Sequence, residues 1–300
     1  MHERNPYKKN PPNFTLLARD YPELRKHCFV TPRGTLNLNF NDAEAVRILT
    51  LVLLKKDFGL VVELPRNNLV PRIPQRLNYL LFIEDLLMHN AVNNEDVFGI
   101  DIGTGASCIY PLLGAKKFGW KFLATEIDED SASIAMSNVK SNNLSEKITV
   151  IRSSDGKMIF PEAVGAGDEE VYTFSMCNPP FYDFEESDKK YAADENDVYE
   201  NVVTEGERPG PRSATVAKLN ELATEGGEVA FVLRMVEESK KLRARIRVYT
   251  SMVGIKTSMY KIERVLKEIA EIRYMVSTLN QGRTQRFVIA WTYDNAVKFL

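Results

Sequence analysis

Apolar residues along this chain return at two different periods, and the change from one to the other sets the architecture. From Ala43 to Leu54 and from Asn78 to Met88 they recur roughly every three to four positions, the spacing of one face of a helix. From Val97 onward short apolar runs take over. Val97–Ile102, Lys121–Glu126, Ile148–Arg152, Val171–Cys177, Glu228–Leu233, Val248–Val253 and Arg286–Tyr293 read as strands with helical stretches between them. Strands that alternate with helices predict βαβ units and an α/β fold on a mostly parallel sheet. The final pair, Glu271–Leu279 and Arg286–Tyr293 around Asn280-Gln281-Gly282, reads as antiparallel strands at one edge.

Residues 1–90 carry Pro6, Pro11, Pro12, Pro22 and Pro32 ahead of the two helical segments. They read as an irregular, partly helical N-terminal extension to an α/β domain over 91–300. One stretch breaks the rhythm. Asp183 to Arg212 is rich in Asp, Glu, Asn, Lys and Gly and poor in aliphatics, so it buries too little surface to order itself and is expected to be a mobile loop at about 183–212.

Composition adds limits. With 300 residues, 44% hydrophobic and 27% charged, the chain is long enough for a sizeable core and is neither disordered, collagenous nor membrane-embedded. The balance of 39 Lys and Arg against 41 Asp and Glu excludes a uniformly basic nucleic-acid binder, but not charges gathered in patches. Acids concentrate in 183–207, and bases in Arg4, Lys8 and Lys9 and in Lys240, Lys241, Arg243, Arg245 and Arg247. Cys28, Cys108 and Cys177 form no paired spacing and His2, His27 and His89 no ligand pattern, so neither a disulfide framework nor a metal site is expected. The N-terminus lacks a secretory apolar region and the run Ile48 to Leu54 stops at Lys55-Lys56, which predicts a soluble intracellular protein.

The first chemical signal follows the strand Val97–Ile102: Asp101-Ile102-Gly103-Thr104-Gly105-Ala106-Ser107-Cys108, running into a helix. Two glycines one residue apart let the backbone approach a ligand, and a helix N-terminus presents N–H donors. Cys108 stands where a dinucleotide fingerprint needs its third glycine, and the G-K-[ST] of a P-loop is absent, which disfavours phosphate cradling. The next strand ends in Glu126-Ile127-Asp128. Glu126 is placed to accept hydrogen bonds from a ribose diol at the carboxyl ends of neighbouring strands, and Asp128 to cap the helix beginning near Asp130.

The second signal is more specific. Val171–Cys177 runs directly into Asn178-Pro179-Pro180-Phe181. Two consecutive prolines fix two φ angles and remove two N–H donors, which frees the carbonyls of Asn178 and Pro179 from a ladder. The Asn178 side-chain oxygen and the Pro179 carbonyl then make a rigid acceptor pair for an –NH2 group, and Phe181 offers a ring to stack on a planar base or amide. A proline turn by itself is common. Its position on the fourth strand, after a D-x-G-x-G turn, makes methyl transfer the better reading.

With both motifs in this order, the sequence resembles the class I S-adenosylmethionine-dependent methyltransferases that modify exocyclic amines or amides. More narrowly it resembles the methyltransferase-like 16 family of RNA adenine-N6 methyltransferases, related to the bacterial 23S ribosomal RNA adenine-N6 methyltransferase F. The resemblance runs through nearly the whole chain, including Leu38-Asn39-Phe40, Arg76-Leu77-Asn78-Tyr79, Gly99 to Gly114, Met176 to Phe181 and Gln281-Gly282-Arg283-Thr284. It implies a Rossmann-like fold with a seven-stranded sheet, S-adenosyl-L-methionine as cofactor and N6-methyladenosine in structured RNA as product. On the same ground, Arg76, Gly103, Thr104, Gly105, Ser107, Glu126, Gly156 and Asn178 would hold the cofactor. Asn178, Pro179, Pro180 and Phe181 would grip the adenine, and Asn39, Tyr182, Arg283 and Arg286 would meet the RNA. The charge pattern, apart from the resemblance, adds Arg4, Lys8 and Lys9 and the cluster Lys240, Lys241, Arg243, Arg245 and Arg247 as candidate RNA contacts. The implied partners are U6 small nuclear RNA and hairpins in S-adenosylmethionine synthetase transcripts. The implied location is the nucleus, with the cytoplasm as a second compartment.

Three other readings compete. A protein-glutamine N5-methyltransferase is the alternative enzyme, since a planar amide suits the same acceptors. A catalytically idle RNA-binding module fits less well, because the cofactor and amine motifs are both intact. An NAD-dependent dehydrogenase fits least, because Cys108 breaks the glycine pattern.

Overall fold

The computed structural model describes residues 1–153, 158–166, 171–185, 191–193, 199–201, 214–281 and 284–300. Its main sheet consists of β1 (Phe98–Ile102), β2 (Lys121–Glu126), β3 (Ile148–Arg152), β4 (Tyr172–Cys177), β5 (Ile246–Val253), β6 (Arg273–Gln281) and β7 (Thr284–Thr292). The order is β6-β7-β5-β4-β1-β2-β3. Strands β3, β2, β1, β4 and β5 pair in parallel, and β7 is antiparallel to both its neighbours. This is the mostly parallel α/β sheet with an antiparallel edge that the alternation of periods predicts.

Helices cover both faces: α1 (Ala43–Phe58), α2 (Ile73–His89), α3 (Ile109–Phe118), α4 (Glu129–Ser141), α5 (Gly227–Leu242) and α6 (Lys256–Glu268). Successive side chains of a strand point to opposite faces, so a strand covered on both sides reads as a continuous apolar run. Phe122 and Ala124 of β2 and Val288 and Ala290 of β7 join one core with Leu53 of α1 and Leu77, Leu80 and Ile83 of α2. Leu123, Ile289 and Trp291 of the same strands join a second core with Val232 and Met235 of α5 and Ile262 of α6. Tyr7, Leu17 and Leu24 pack into the first core, so the N-terminal residues share apolar contacts with the sheet. The sheet tolerates no side chain at Gly99, where a Cβ would lie 2.4 Å from the Phe174 ring.

Local chemistry fixes the ends of these elements. Asp42 accepts from the amides of Glu44 and Ala45 at the start of α1, and Gly59 closes that helix with φ of 62°. Pro74 sits in the first turn of α2, where its missing N–H costs nothing.

One expectation needs correction. Glu228–Leu233, read as a strand, lies inside α5. Its buried residues Glu228, Val232, Met235, Val236 and Ser239 follow helical spacing, a period that shows only over the full helix and not over the six apolar-looking positions. Within the acidic stretch at 183–212, Tyr191–Ala193 and Tyr199–Asn201 form a three-stranded sheet with Val216–Ala217. The rest of 186–213 lies outside the described residues. A small hairpin, Cys28–Val30 with Leu36–Leu38, also goes unannounced by the hydrophobic pattern.

Candidate cofactor and amine site

The carboxyl ends of β1, β2 and β4 open onto one cleft of about 930 Å3, lined among others by Arg76, Gly103, Glu126, Asn178, Lys218 and Glu221. The glycine turn forms its floor. Gly103 and Gly105 have φ of 67° and 65°, the left-handed region that glycine enters without cost. A Cβ on Gly103 would meet nothing within 4 Å, so its backbone stands open to a ligand. Cys108 replaces the third glycine of the dinucleotide pattern but still takes φ of 48° at the N-cap of α3. Its thiol is fully buried, and burial pushes its pKa well above the usual range.

Thr104 braces this turn. Its hydroxyl donates to Asp101 Oδ2 at 2.7 Å and its amide to the Thr125 carbonyl at 2.8 Å. Asp101 is buried under the turn, its Oδ1 has no partner, and burial pushes its pKa up to about 7 against the opposing hydrogen bond from Thr104. Ser107 is buried and lines the cleft.

Glu126 is held on three sides. Its Oε2 accepts from Gly105 N at 2.8 Å, and its Oε1 from Ile127 N at 2.9 Å and Asp128 N at 3.0 Å. A carboxylate offers about four lone-pair positions, so one remains on Oε2. Burial raises the Glu126 pKa, with the three amides pulling against it. Asp128 caps α4 through Ser131 N at 2.8 Å and binds Lys218 Nζ at 2.6 Å.

Asn178 leaves β4 into the cleft. The strand end is fixed from below by the Tyr79 hydroxyl of α2, which accepts from Cys177 N at 3.4 Å and shares a 2.7 Å hydrogen bond with Thr250. Asn178 Oδ1 accepts from Arg76 Nη1 at 3.0 Å, and the same nitrogen donates to the Tyr110 hydroxyl at 3.0 Å. Arg76 is 9% exposed, and its Nε is buried without a partner. One helical turn away, Arg72 is pushed down to about 10, by burial first and then by the charge of Arg76. Pro180 lines the cleft and Pro179 is buried. Phe181 is half-buried, with the Arg286 guanidinium 5.3 Å from its ring centre. Arg286 Nη1 donates to the Gly254 carbonyl at 3.3 Å, and Gly254 N donates to buried Glu228 at 2.6 Å.

The structure thus brings Arg76, Gly103, Thr104, Gly105, Ser107, Glu126, Asn178 and Pro180 to one cleft. Gly156 and Arg283 lie outside the described residues. Tyr182, expected at the RNA, is instead 8% exposed and packs on Leu222 and Ala223, with its amide bound to the Leu222 carbonyl. Asn39 is exposed on the turn before α1, where its Oδ1 accepts from Asn41 N at 3.1 Å. The basic start is largely neutralised: Arg4 binds Glu84 at 2.5 Å as well as Asp85, and Lys8 binds Glu3. Lys9 is exposed. The second basic cluster is also paired with carboxylates. It precedes the N-terminal end of β5, the opposite end of the sheet from the cleft, and pairs Lys240 with Glu237, Arg243 with Glu271 and Arg247 with Asp294.

Sequence reading missed Tyr110, Lys218 and Glu221. Glu221 accepts from Leu69 N and Lys218 N, both at 2.9 Å, and burial pushes it up to about 7. Its bond from Lys218 N is local, three residues away, but the one from Leu69 N joins segments 152 positions apart, which no local pattern announces. Among the described residues, no three His, Cys, Asp or Glu side chains gather as a metal site, and no helix is long and apolar enough to cross a membrane.

Comparison with known proteins agrees with this geometry. A family model described as RNA methyltransferase matches residues 1–295. The U6 small nuclear RNA (adenine-(43)-N(6))-methyltransferase of Caenorhabditis elegans is 45% identical over 99% of this chain and 63% of its own length. The chain spans between 51% and 63% of the full length of the nematode and vertebrate relatives it matches. The hMettl16 catalytic domain in complex with MAT2A 3'UTR hairpin 6 superposes with a TM-score of 0.86 at 39% identity, covering 100% of this chain and 99% of that one. The N-terminal domain of human METTL16 in complex with SAH gives 0.78 at 38% identity, over 98% and 99%. Carrying the open glycine turn, the held Glu126 and the Asn-Pro-Pro-Phe exit of β4 in one cleft, the chain belongs to this RNA methyltransferase family.

Proposed function

We propose that this chain transfers the methyl group of S-adenosylmethionine to N6 of an adenine displayed in structured RNA. The observation that carries the reading is the placement of Asn178 in the wall of the cleft that the glycine turn and Glu126 also line. The residues present fit the cofactor. Gly103 leaves its backbone open, Glu126 keeps an acceptor position for a ribose hydroxyl, and Arg76 holds a buried N–H without a partner for a carboxylate. When bound, S-adenosylmethionine supplies an electrophilic methyl group, which the amine nitrogen takes as it gives up one proton to water.

The chain's own residues do the positioning. Adenine's amino group is planar, with its lone pair drawn into the ring. Acceptors on its two N–H bonds, from the Asn178 side chain and the Pro179 carbonyl, favour the more pyramidal nitrogen of the transition state and the positive charge that grows there. Phe181 gives the base a face to stack on. Because orientation supplies most of the rate, no acid–base side chain is required. An adenine inside a duplex cannot reach this cleft, so the target sits in a loop or bulge or is flipped out. The names of the relatives support U6 small nuclear RNA and hairpins of the MAT2A 3'UTR type as the first substrates to try. The nucleus is the proposed site of action.

The test is a methylation assay with labelled S-adenosylmethionine and such hairpins, digested to nucleosides. N6-methyladenosine is the expected product. Label found in protein and absent from RNA would overturn the reading in favour of glutamine methylation.

A further inference from the structure

Arg76 stands between the two halves of the cleft, and its contacts do not satisfy it. Nη1 is committed to Asn178 Oδ1 and the Tyr110 hydroxyl, each at 3.0 Å, while Nε is buried without a partner. A buried guanidinium donor left unpaired is costly unless something arrives to meet it. Among the described residues that line the cleft, the other cations are Lys218, bound to Asp128 at 2.6 Å, and Arg234, at the exposed rim. Of the three, Arg76 is the buried cation with a donor to offer an anionic group.

We infer that Arg76 couples the two ligands: it withholds Asn178 from the adenine amine until a carboxylate in the cofactor cleft takes the guanidinium over. Asn178 Oδ1 already accepts from a cation. It is then a weaker acceptor for a second donor, and the cation opposes the positive charge that must grow on the amine nitrogen. An Arg–carboxylate pair is charge-assisted and can be bidentate, so it outcompetes an Arg–amide hydrogen bond. Once the guanidinium turns to the carboxylate, Oδ1 is released, and its new neighbour is a neutralised pair. Arg72, one helical turn away, adds a second positive charge that favours the same exchange. The carboxylate thus acts as a signal that the methyl donor is present, and Arg76 is a positioning residue for Asn178. The inference rests on the methyl-transfer reading above.

The experiment uses the full chain and an end-labelled hairpin that keeps the adenine and its N6 amine at the target position, its engagement read by fluorescence anisotropy. Saturating S-adenosylhomocysteine should tighten this engagement by about tenfold, within the usual range of coupling between sites. Saturating 5'-methylthioadenosine, which lacks the amino-acid carboxylate, should not. In Arg76→Gln at saturating S-adenosylhomocysteine the gain should vanish. Equal coupling by the two ligands, no coupling by either, or a coupling that survives in Arg76→Gln overturns the inference. Methylation of an adenine hairpin by the wild-type chain is measured alongside. Its absence sinks the methyl-transfer reading, whereas its presence with equal coupling by the two ligands sinks the coupling alone.

Discussion

Arg76 Nη1 lies 3.0 Å from Asn178 Oδ1, so a residue of α2, in the first 90 residues, holds the side chain at which β4 ends. The strand end that carries this acceptor is pinned by the Tyr79 hydroxyl, so Asn178 keeps its place when a carboxylate takes the guanidinium over. Pre-organised groups aimed at developing charge are commonly the largest contributors to rate. Asn178→Ala should therefore lower kcat on an RNA hairpin by about 100-fold or more. Affinity for S-adenosylhomocysteine, read by calorimetry, should change by far less than kcat. A variant with unchanged kcat would remove Asn178 from the chemistry.

Arg286 sits over the Phe181 ring at 5.3 Å, tied to Gly254 and, through that residue's amide, to Glu228. Its effect on the reaction is expected to run through the ring. A cation over an aromatic face is worth about 0.5–2 kcal/mol, so Arg286→Met should raise KM for RNA by several-fold to about tenfold. Arg286→Lys, which keeps the cation, should recover part of the loss. Steady-state kinetics at fixed salt decide it, and an Arg286→Lys variant no better than Arg286→Met would show that charge over the ring is not the cause.

Gly227 closes the site from behind, with φ of 62° and a would-be Cβ 3.2 Å from Asp183 N and 3.7 Å from the Phe181 carbonyl. Alanine there takes a backbone conformation that costs about 1–2 kcal/mol and presses on the chain that leaves the proline turn. Gly227→Ala should lower the unfolding midpoint and reduce kcat more than cofactor affinity. Equal losses in both would mean that the substitution acts only on stability.

The sheet was legible because each of its central strands is buried on both faces, which writes a continuous apolar run into the sequence. Val171–Cys177 and Lys121–Glu126 are such runs, and the structure places them at β4 and β2. Helix α5 was misread because Val229 to Leu233 form a short apolar run of the same kind, and only Met235, Val236 and Ser239 further on reveal the helical period. Within the site, the glycine turn and the proline turn are local motifs and could be read directly. Glu221 and Tyr110 could not, since what places them at the cleft is contact with Leu69 and Arg76, residues far away in the chain. The pairing of the basic residues was hidden for a related reason. A sequence shows the charge of Arg4 but not Glu84 and Asp85 folded against it.

That pairing makes its own prediction. A phosphate contact by Arg4 would contribute about 0.7–0.9 to the slope of log affinity against log salt. With its guanidinium already shared between two carboxylates, Arg4→Ala should leave the slope for RNA binding unchanged. It should instead cost about 1–3 kcal/mol of stability, because Glu84 is left buried without its partner. Filter binding across a salt series, beside urea denaturation, separates the two roles. A reduced slope with unchanged stability would return Arg4 to the RNA surface.

Asp101 and Glu221 give the fold a pH dependence opposite to that of ordinary paired carboxylates. Burial pushes each up to about 7, for Asp101 against the Thr104 hydrogen bond and the charge of Arg76. In the unfolded chain both groups ionise near the usual value of about 4. Between about pH 4 and about pH 7 the native state therefore binds more protons than the unfolded chain, and the slope of unfolding free energy with pH is negative. The stability these groups contribute is fully present below about pH 4 and is lost as pH rises through about 7. A tenfold difference in proton affinity between the folded and the unfolded chain is worth about 1.4 kcal/mol, so the effect is large enough to see by denaturation between about pH 5 and about pH 8. Asp101→Asn keeps an oxygen to accept from Thr104 and removes the ionisation. Its stability should fall less steeply over that range than that of the wild-type chain, and Glu221→Gln should flatten the profile again when combined with it. Asp42, Glu44 and Asp128 cannot mimic this, because the partners of these carboxylates lower their pKa values and place their effect below the same window. A wild-type profile that is flat, or that rises with pH, would mean that Asp101 is ionised beneath the glycine turn and held there by Arg76.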